Sequence, residues 1–199
     1  MKYILLLIFI FFHPIFSEKV NPRTVTVLQE GNDEYPLGLA LEIERDTISK
    51  SFEEIKSSTR FQESKQGIPN FGFTKDIFWI RFTLENQTRI KDWYLYLSYP
   101  LLDNIEFYEK NAVTGKWNIH RVGDMYPFES REFNDKSFVF PLSLEKNQKQ
   151  VYYFRIQSEG TMQFPLTLYS PKKFLLHREK EEFAFGIYYG ILLVLVIYN

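Results

Sequence analysis

The chain has 199 residues, 24 basic and 25 acidic, a formal net charge of -1 and no cysteine. That length can bury a core without disulfide staples, and near-neutral charge without a basic stripe argues against nucleic acid as a partner. The lack of cysteine excludes disulfides, thiolate zinc sites, iron–sulfur clusters, a cysteine nucleophile and a lipidated N-terminal cysteine.

Residues 1–17 have the order of a secretory signal. Lys2 precedes an uncharged run from Tyr3 to Phe12, then come the breaker Pro14 and the small Ser17. An uncleaved anchor is the alternative, because Ile15 is not small where the cleavage site wants a small residue. Residues 18–34 read as a lead-in, with a strand expected over Thr24–Leu28 and another over Leu37–Ile43. One or two helical turns are expected within Asp46–Ser57.

From there, runs alternate with period two between turn residues. Phe78, Ile80, Phe82 and Leu84 alternate with Ile77, Trp79, Arg81, Thr83 and Glu85. Trp93, Leu95 and Leu97 oppose Tyr94, Tyr96 and Ser98. Ile105 and Phe107, then Phe138, Phe140 and Leu142, mark two more strands. Tyr152, Phe154 and Ile156 oppose Val151, Tyr153, Arg155 and Gln157, and Phe164, Leu166 and Leu168 complete the series. The aromatic share of 18%, with 20 Phe and 13 Tyr, fits a β-rich chain. Many short strands with such spacing predict an all-β antiparallel sandwich over residues 35–171. A charged helix follows over 172–182, running directly into an uncharged stretch over 183–199 that reads as a transmembrane helix. Tyr188 and Tyr189 suit the interface, and Gly186 with Gly190 permits close helix packing. The alternative is a buried C-terminal helix of a soluble protein. The expected span is still apolar where the sequence stops.

The second face of these strands is unusual. Trp79, Arg81, Tyr94, Tyr96, Tyr153 and Arg155 fall on outward positions, where ordinary polar residues are the rule. Aromatic rings with arginine forks suit a sugar or an anionic small molecule. The bland alternative is that a loop or partner covers this face, with Arg81 or Arg155 paired to a carboxylate such as Asp103 or Glu106. Glu42 and Glu44 read as exposed charges on an edge strand. No catalytic residue and no metal site is assigned. The histidines are His13, His120 and His177, without metal-ligand spacing, and phosphate-loop and nucleophile-elbow motifs are missing. A glycosidase-type carboxylate pair is the minor alternative.

The serial order of several short runs carries a family resemblance. It begins with Asn70-Phe71-Gly72-Phe73-Thr74, Phe78-Trp79-Ile80-Arg81-Phe82 and Tyr99-Pro100-Leu101-Leu102-Asp103. Gly115-Lys116-Trp117, Gly123-Asp124, Pro127-Phe128 and Arg131 follow, then Tyr153-Phe154-Arg155-Ile156 and Pro165-Leu166-Thr167-Leu168 before the apolar stretch. This order resembles the type-2 extracellular domain of bacterial seven-transmembrane receptors with diverse intracellular signalling modules. The resemblance implies a jelly-roll sandwich similar to carbohydrate-binding modules, periplasmic or extracellular, anchored in the inner membrane and followed by further spans and a cytoplasmic module. It implies a sensory domain without enzymatic activity or cofactor. The expected partners are a small-molecule ligand, such as a carbohydrate, and membrane lipid around the span. The expected ligand contacts are Trp79, Arg81, Tyr94, Tyr96, Tyr153 and Arg155, with Asp103 and Arg131 from loops. The competing expectation is a module that docks a partner protein or forms a homodimer through the same face.

Overall fold

The computed structural model describes residues 24–198, so the expected signal over 1–17 lies outside the described residues. In chain order the strands are β1 (Val25–Leu28), β2 (Glu34–Pro36), β3 (Glu42–Asp46), β4 (Gln62–Glu63), β5 (Asn70–Phe73), β6 (Ile77–Asn86) and β7 (Asp92–Leu97). They continue with β8 (Asn104–Lys110), β9 (Trp117–Val122), β10 (Phe138–Ser143), β11 (Lys149–Gln157), β12 (Thr161–Gln163) and β13 (Leu166–Tyr169). Helix α1 (Phe52–Lys56) lies between β3 and β4, and helix α2 (Pro171–Tyr198) follows β13.

The strands form two facing sheets and a small flap. The first sheet runs β4-β3-β6-β11-β8-β9, with β1 parallel to the end of β6. The second runs β10-β7-β13-β2, and β12 pairs with β5 in the flap. Apart from β1 with β6, the pairings are antiparallel. Successive strands cross between sheets, β6 to β7 to β8 and β9 to β10 to β11, as in a double-sheet jelly roll.

The alternation in the sequence builds the core. Phe78, Ile80, Phe82, Phe107, Phe154 and Ile156 of the first sheet meet Trp93, Leu95, Leu97, Phe138, Phe140 and Leu168 of the second in one buried cluster. Met162 and Phe164 of the flap region join that cluster and help close the sandwich, and Phe71 stacks on Phe78 at 4.2 Å.

Local departures have local causes. The strand expected over Leu37–Ile43 is a 3-10 turn at Gly38–Ala40 followed by β3. Within Asp46–Ser57 only α1 is helical, because the Asp46 carboxylate accepts from the amides of Ile48 (3.0 Å) and Lys50 (2.7 Å), holding that stretch in a turn. Ser51 then starts α1 with a reciprocal cap to Glu54. The sandwich begins with β1 and β2, upstream of residue 35, and the charged and uncharged C-terminal segments form one unbroken helix. Strand β9 gave little signal because it is an edge strand whose residues are mostly exposed or half-buried.

Gly123 shows how tightly the connections are seated. Its φ is +144°, and an added Cβ would lie 2.1 Å from the carbonyl oxygen of Asp103. Gly123→Ala should therefore combine backbone strain with overpacking, lowering the unfolding free energy by about 1–3 kcal/mol. Chemical denaturation of the purified chain in detergent checks this.

Candidate functional site

The outer face of the first sheet carries a polar and aromatic array set by strand register. Glu42 faces Arg81 and Glu44 faces Trp79 across β3 and β6, while Tyr153 and Arg155 of β11 sit opposite Arg81 and Trp79. Arg81 donates from its ε and η nitrogens to both carboxylate oxygens of Glu42, at 2.9 and 3.0 Å. Trp79 Nε1 donates to Asp46 Oδ2 at 3.1 Å. The hydroxyl of Ser58 donates to Glu44 at 2.6 Å, and Lys50 pairs with the other oxygen of that carboxylate.

A cover lies over this array. Phe52 of α1 stacks on Tyr108 at 4.2 Å and meets Trp117 and Tyr153 edge-on at 4.9 and 5.4 Å. Phe61 lies 4.3 Å beneath the Arg81 guanidinium. Trp79, Arg81 and Tyr153 are consequently buried, and Arg155 remains half-buried. Glu42 and Glu44 are buried too, which corrects their reading as exposed edge charges. Burial pushes the Asp46 carboxyl upward, but its bonds from Ile48, Lys50 and Trp79 outweigh that and hold it below the ordinary aspartate value. Burial raises the Tyr153 hydroxyl.

Tyr94 and Tyr96 are elsewhere. They lie on the outer face of the second sheet, so the outward aromatic residues do not share one face as the alternation suggested. Helix α2 covers them. Phe174 stacks on Tyr94 at 4.5 Å, and His177 sits 5.1 Å from both the Tyr96 and Tyr169 rings. The Tyr96 hydroxyl, pushed upward by burial, donates to Glu181 at 3.4 Å. Ion pairs flank the contact: Lys173 with Glu34 (2.7 Å), Lys136 with Glu181 (3.2 Å) and Arg178 with Asp135 (3.4 Å).

The loop residues have local tasks. Asp103 Oδ2 accepts from Ser158 Oγ at 3.1 Å and from the Glu159 amide at 2.6 Å. Arg131 donates to the carbonyls of Asp135 and Lys136, each at 2.9 Å, and packs over Phe138 and Phe128.

An open cleft of about 650 Å³ lies instead beside the β3–β4 edge, between it and β5. Ile43, Phe71 and Phe78 supply apolar surface, while Arg45, Arg60, Gln62, Lys65 and Gln66 bring charge and amides. Size and lining fit a small-molecule pocket. Sequence reasoning missed it because Arg60–Asn70 has no periodicity. Its one signal was a polar run beside an aromatic residue. Among the described residues no cluster of three or more metal-ligating side chains is present.

A family model described as 7TMR-DISM extracellular 2 matches residues 41–170. The chain belongs to that family. No curated protein matches the chain. A 7TMR-DISM extracellular domain is a sensory domain of a membrane receptor and not a catalytic family. Helix α2 agrees, being long and apolar enough to cross a membrane.

Two predictions test the covered array. Arg81→Met leaves the Glu42 carboxylate buried without this partner and should reduce the unfolding free energy by about 3–5 kcal/mol. Adding Glu42→Gln should restore part of the loss in a denaturation series. Asp46 is held below its unfolded value, so its contribution is present above the unfolded pKa and lost as pH falls through the folded one. Unfolding midpoints measured from pH 7 downward should fall less steeply for Asp46→Asn than for the unaltered chain.

Proposed function

We propose that the chain is the ligand-sensing, extracytoplasmic domain of a bacterial signalling receptor of the inner membrane. It has no enzymatic activity of its own, and the sandwich lies on the periplasmic or extracellular side. The observation that carries this reading is the seating of α2. Its first turns are bound to the second sheet through Phe174, His177 and Glu181, and the same helix continues uncharged from Phe183. A shift of that sheet would therefore move the span without an intervening hinge.

The ligand is a small molecule of carbohydrate-like or related polar chemistry, held in the cleft beside β3–β4. Phe71 offers a stacking ring and Arg60 with Gln62 offers donors. Trp79, Arg81 and Tyr153 brace the cleft's sheet from its covered side, and Tyr94 with Tyr96 forms the seat of α2. Binding shifts the receptor only by the difference in affinity between its two states.

A ligand panel read by thermal shift on the purified chain tests the cleft. A stabilising ligand should be found, and Phe71→Ala or Arg60→Ala should weaken its effect at least about tenfold in apparent affinity, as losing a stacking or ionic contact implies. Ligand binding untouched by both changes refutes this site. In the full-length receptor, a flexible Gly/Ser insertion between Glu182 and Phe183 should abolish the response while leaving binding intact. An unchanged response refutes the coupling through α2.

A further inference from the structure

Strand registers fix which loops lie at which end of the sandwich. Helix α2 starts beside Tyr94 near the beginning of β7 and crosses toward the end where Leu97 pairs with Phe138. The connections that gather at that end include 74–76, 98–103, 123–137 and 158–160. Two are locked side by side, since the Asp124 amide donates to the Leu102 carbonyl (2.8 Å) and the Met125 amide to that of Asp103 (3.1 Å). They turn apolar side chains to the outside: Leu101 is 59% exposed, Met125 78% and Phe128 46%.

The segment 123–137 also reaches α2. Lys136 pairs with Glu181, and its ammonium stands 4.4 Å from the centre of the Phe185 ring. Phe185 lies in the stretch that carries no charge from Phe183 onward. This loop end is thus level with the point where the helix becomes wholly apolar. The opposite end also exposes an apolar side chain, Val113, but it is the end at which α2 begins rather than the one from which its uncharged part leaves. There the connections carry Arg89, Lys91, Glu145 and Lys146, with Lys91 paired to Glu145 at 2.6 Å.

We infer that the loop end carrying Leu101, Met125 and Phe128 rests on the bilayer surface, with those side chains in the boundary between headgroups and acyl chains. Scattered exposed apolar residues need no explanation. These sit on neighbouring connections, at the end from which the apolar helix leaves, beside a lysine that bridges to its first apolar turn. A lysine at that level extends its ammonium to the headgroups while its stem lies against apolar surface. The contact gives the sandwich a second attachment to the membrane besides α2, which limits how far the domain can tilt about the helix. It rests on reading α2 as the membrane span.

The chain contains no cysteine, so single labels can be placed cleanly. Leu101→Cys, Met125→Cys, Ile191→Cys and, as the far-end control, Val113→Cys (94% exposed in the native chain) are each labelled with an environment-sensitive fluorophore. The full 199-residue chain is then reconstituted in phosphatidylcholine nanodiscs containing nitroxide lipids. Labels at 101 and 125 should be quenched by shallow nitroxides at least about twofold more than at 113, as side chains about 5–10 Å into the interface would be. Equal quenching at 101, 125 and 113, with 191 quenched by acyl-chain nitroxides, overturns the inference but leaves the span. No quenching at 191 overturns the span reading and the inference with it. Shielding of 101 and 125 from a water-soluble quencher without lipid quenching means protein covers these loops, and that also overturns it.

Discussion

Each sheet of this sandwich carries large aromatic side chains on its outer face as well as an apolar inner face, and those outer rings must be covered. The inner faces cover each other. On the first sheet, Trp79, Tyr108 and Tyr153 are closed over by Phe52, Ile55 and Phe61 from the segment between β3 and β4. On the second, Tyr94, Tyr96 and Tyr169 are closed over by α2 through Phe174 and His177. The two covers differ in what else they do. The first returns into the sheet as β4, whereas the second continues as a helix able to cross a membrane.

The proposed coupling through α2 rests on that difference. Burying a phenylalanine such as Phe174 is worth about 1.5–3 kcal/mol, while exposed ion pairs like Lys173 with Glu34 add at most about 1 kcal/mol each. A seat of this strength holds the helix in one register. It is also weak enough for a ligand's differential affinity to compete with it, since ligand-driven shifts operate on the scale of a few kcal/mol. A buried bidentate pair such as Arg81 with Glu42 is a different kind of contact. Removing one partner leaves the other charge buried without that ionic contact, so the pair fixes structure rather than switching it.

The fold was legible because its signal is periodic. Phe78, Ile80, Phe82 and Leu84, or Tyr152, Phe154 and Ile156, announce their common face without reference to any other part of the chain. Alternation separates two faces of a strand, but it does not say to which sheet the strand belongs. Trp79 and Tyr94 therefore read alike, although they lie on opposite outsides of the sandwich. Nor does it show what covers a face. Phe52 and Phe61 come from a stretch without strand periodicity, and Glu42 is 39 residues from the arginine it binds. Such pairings exist only once the register of β3 against β6 is set, so a buried carboxylate was indistinguishable from a charge on an edge strand.

The proposed cleft and the seat of α2 are on different sheets, yet contacts join them. Phe71, at the cleft, stacks on Phe78 and meets Phe164 edge-on at 6.3 Å. Phe164 donates its amide to the Pro69 carbonyl at 2.9 Å, and Pro165 accepts from the Ser98 amide at 3.2 Å, so the flap is tied to both sheets just before β13 starts. Strand β13 then runs through Ser170 directly into α2, whose first turn includes a bond from the Phe174 amide to the Ser170 carbonyl at 2.9 Å. Contiguity alone is not coupling. In the proposed coupling the route is mechanical because β13 ends at α2: a ligand that repositioned Phe71 against Phe164 would act on the strand whose far end is the root of α2. The cover on the first sheet, anchored by Asp46 and closed by Phe52, has no such continuation, returning into its sheet as β4.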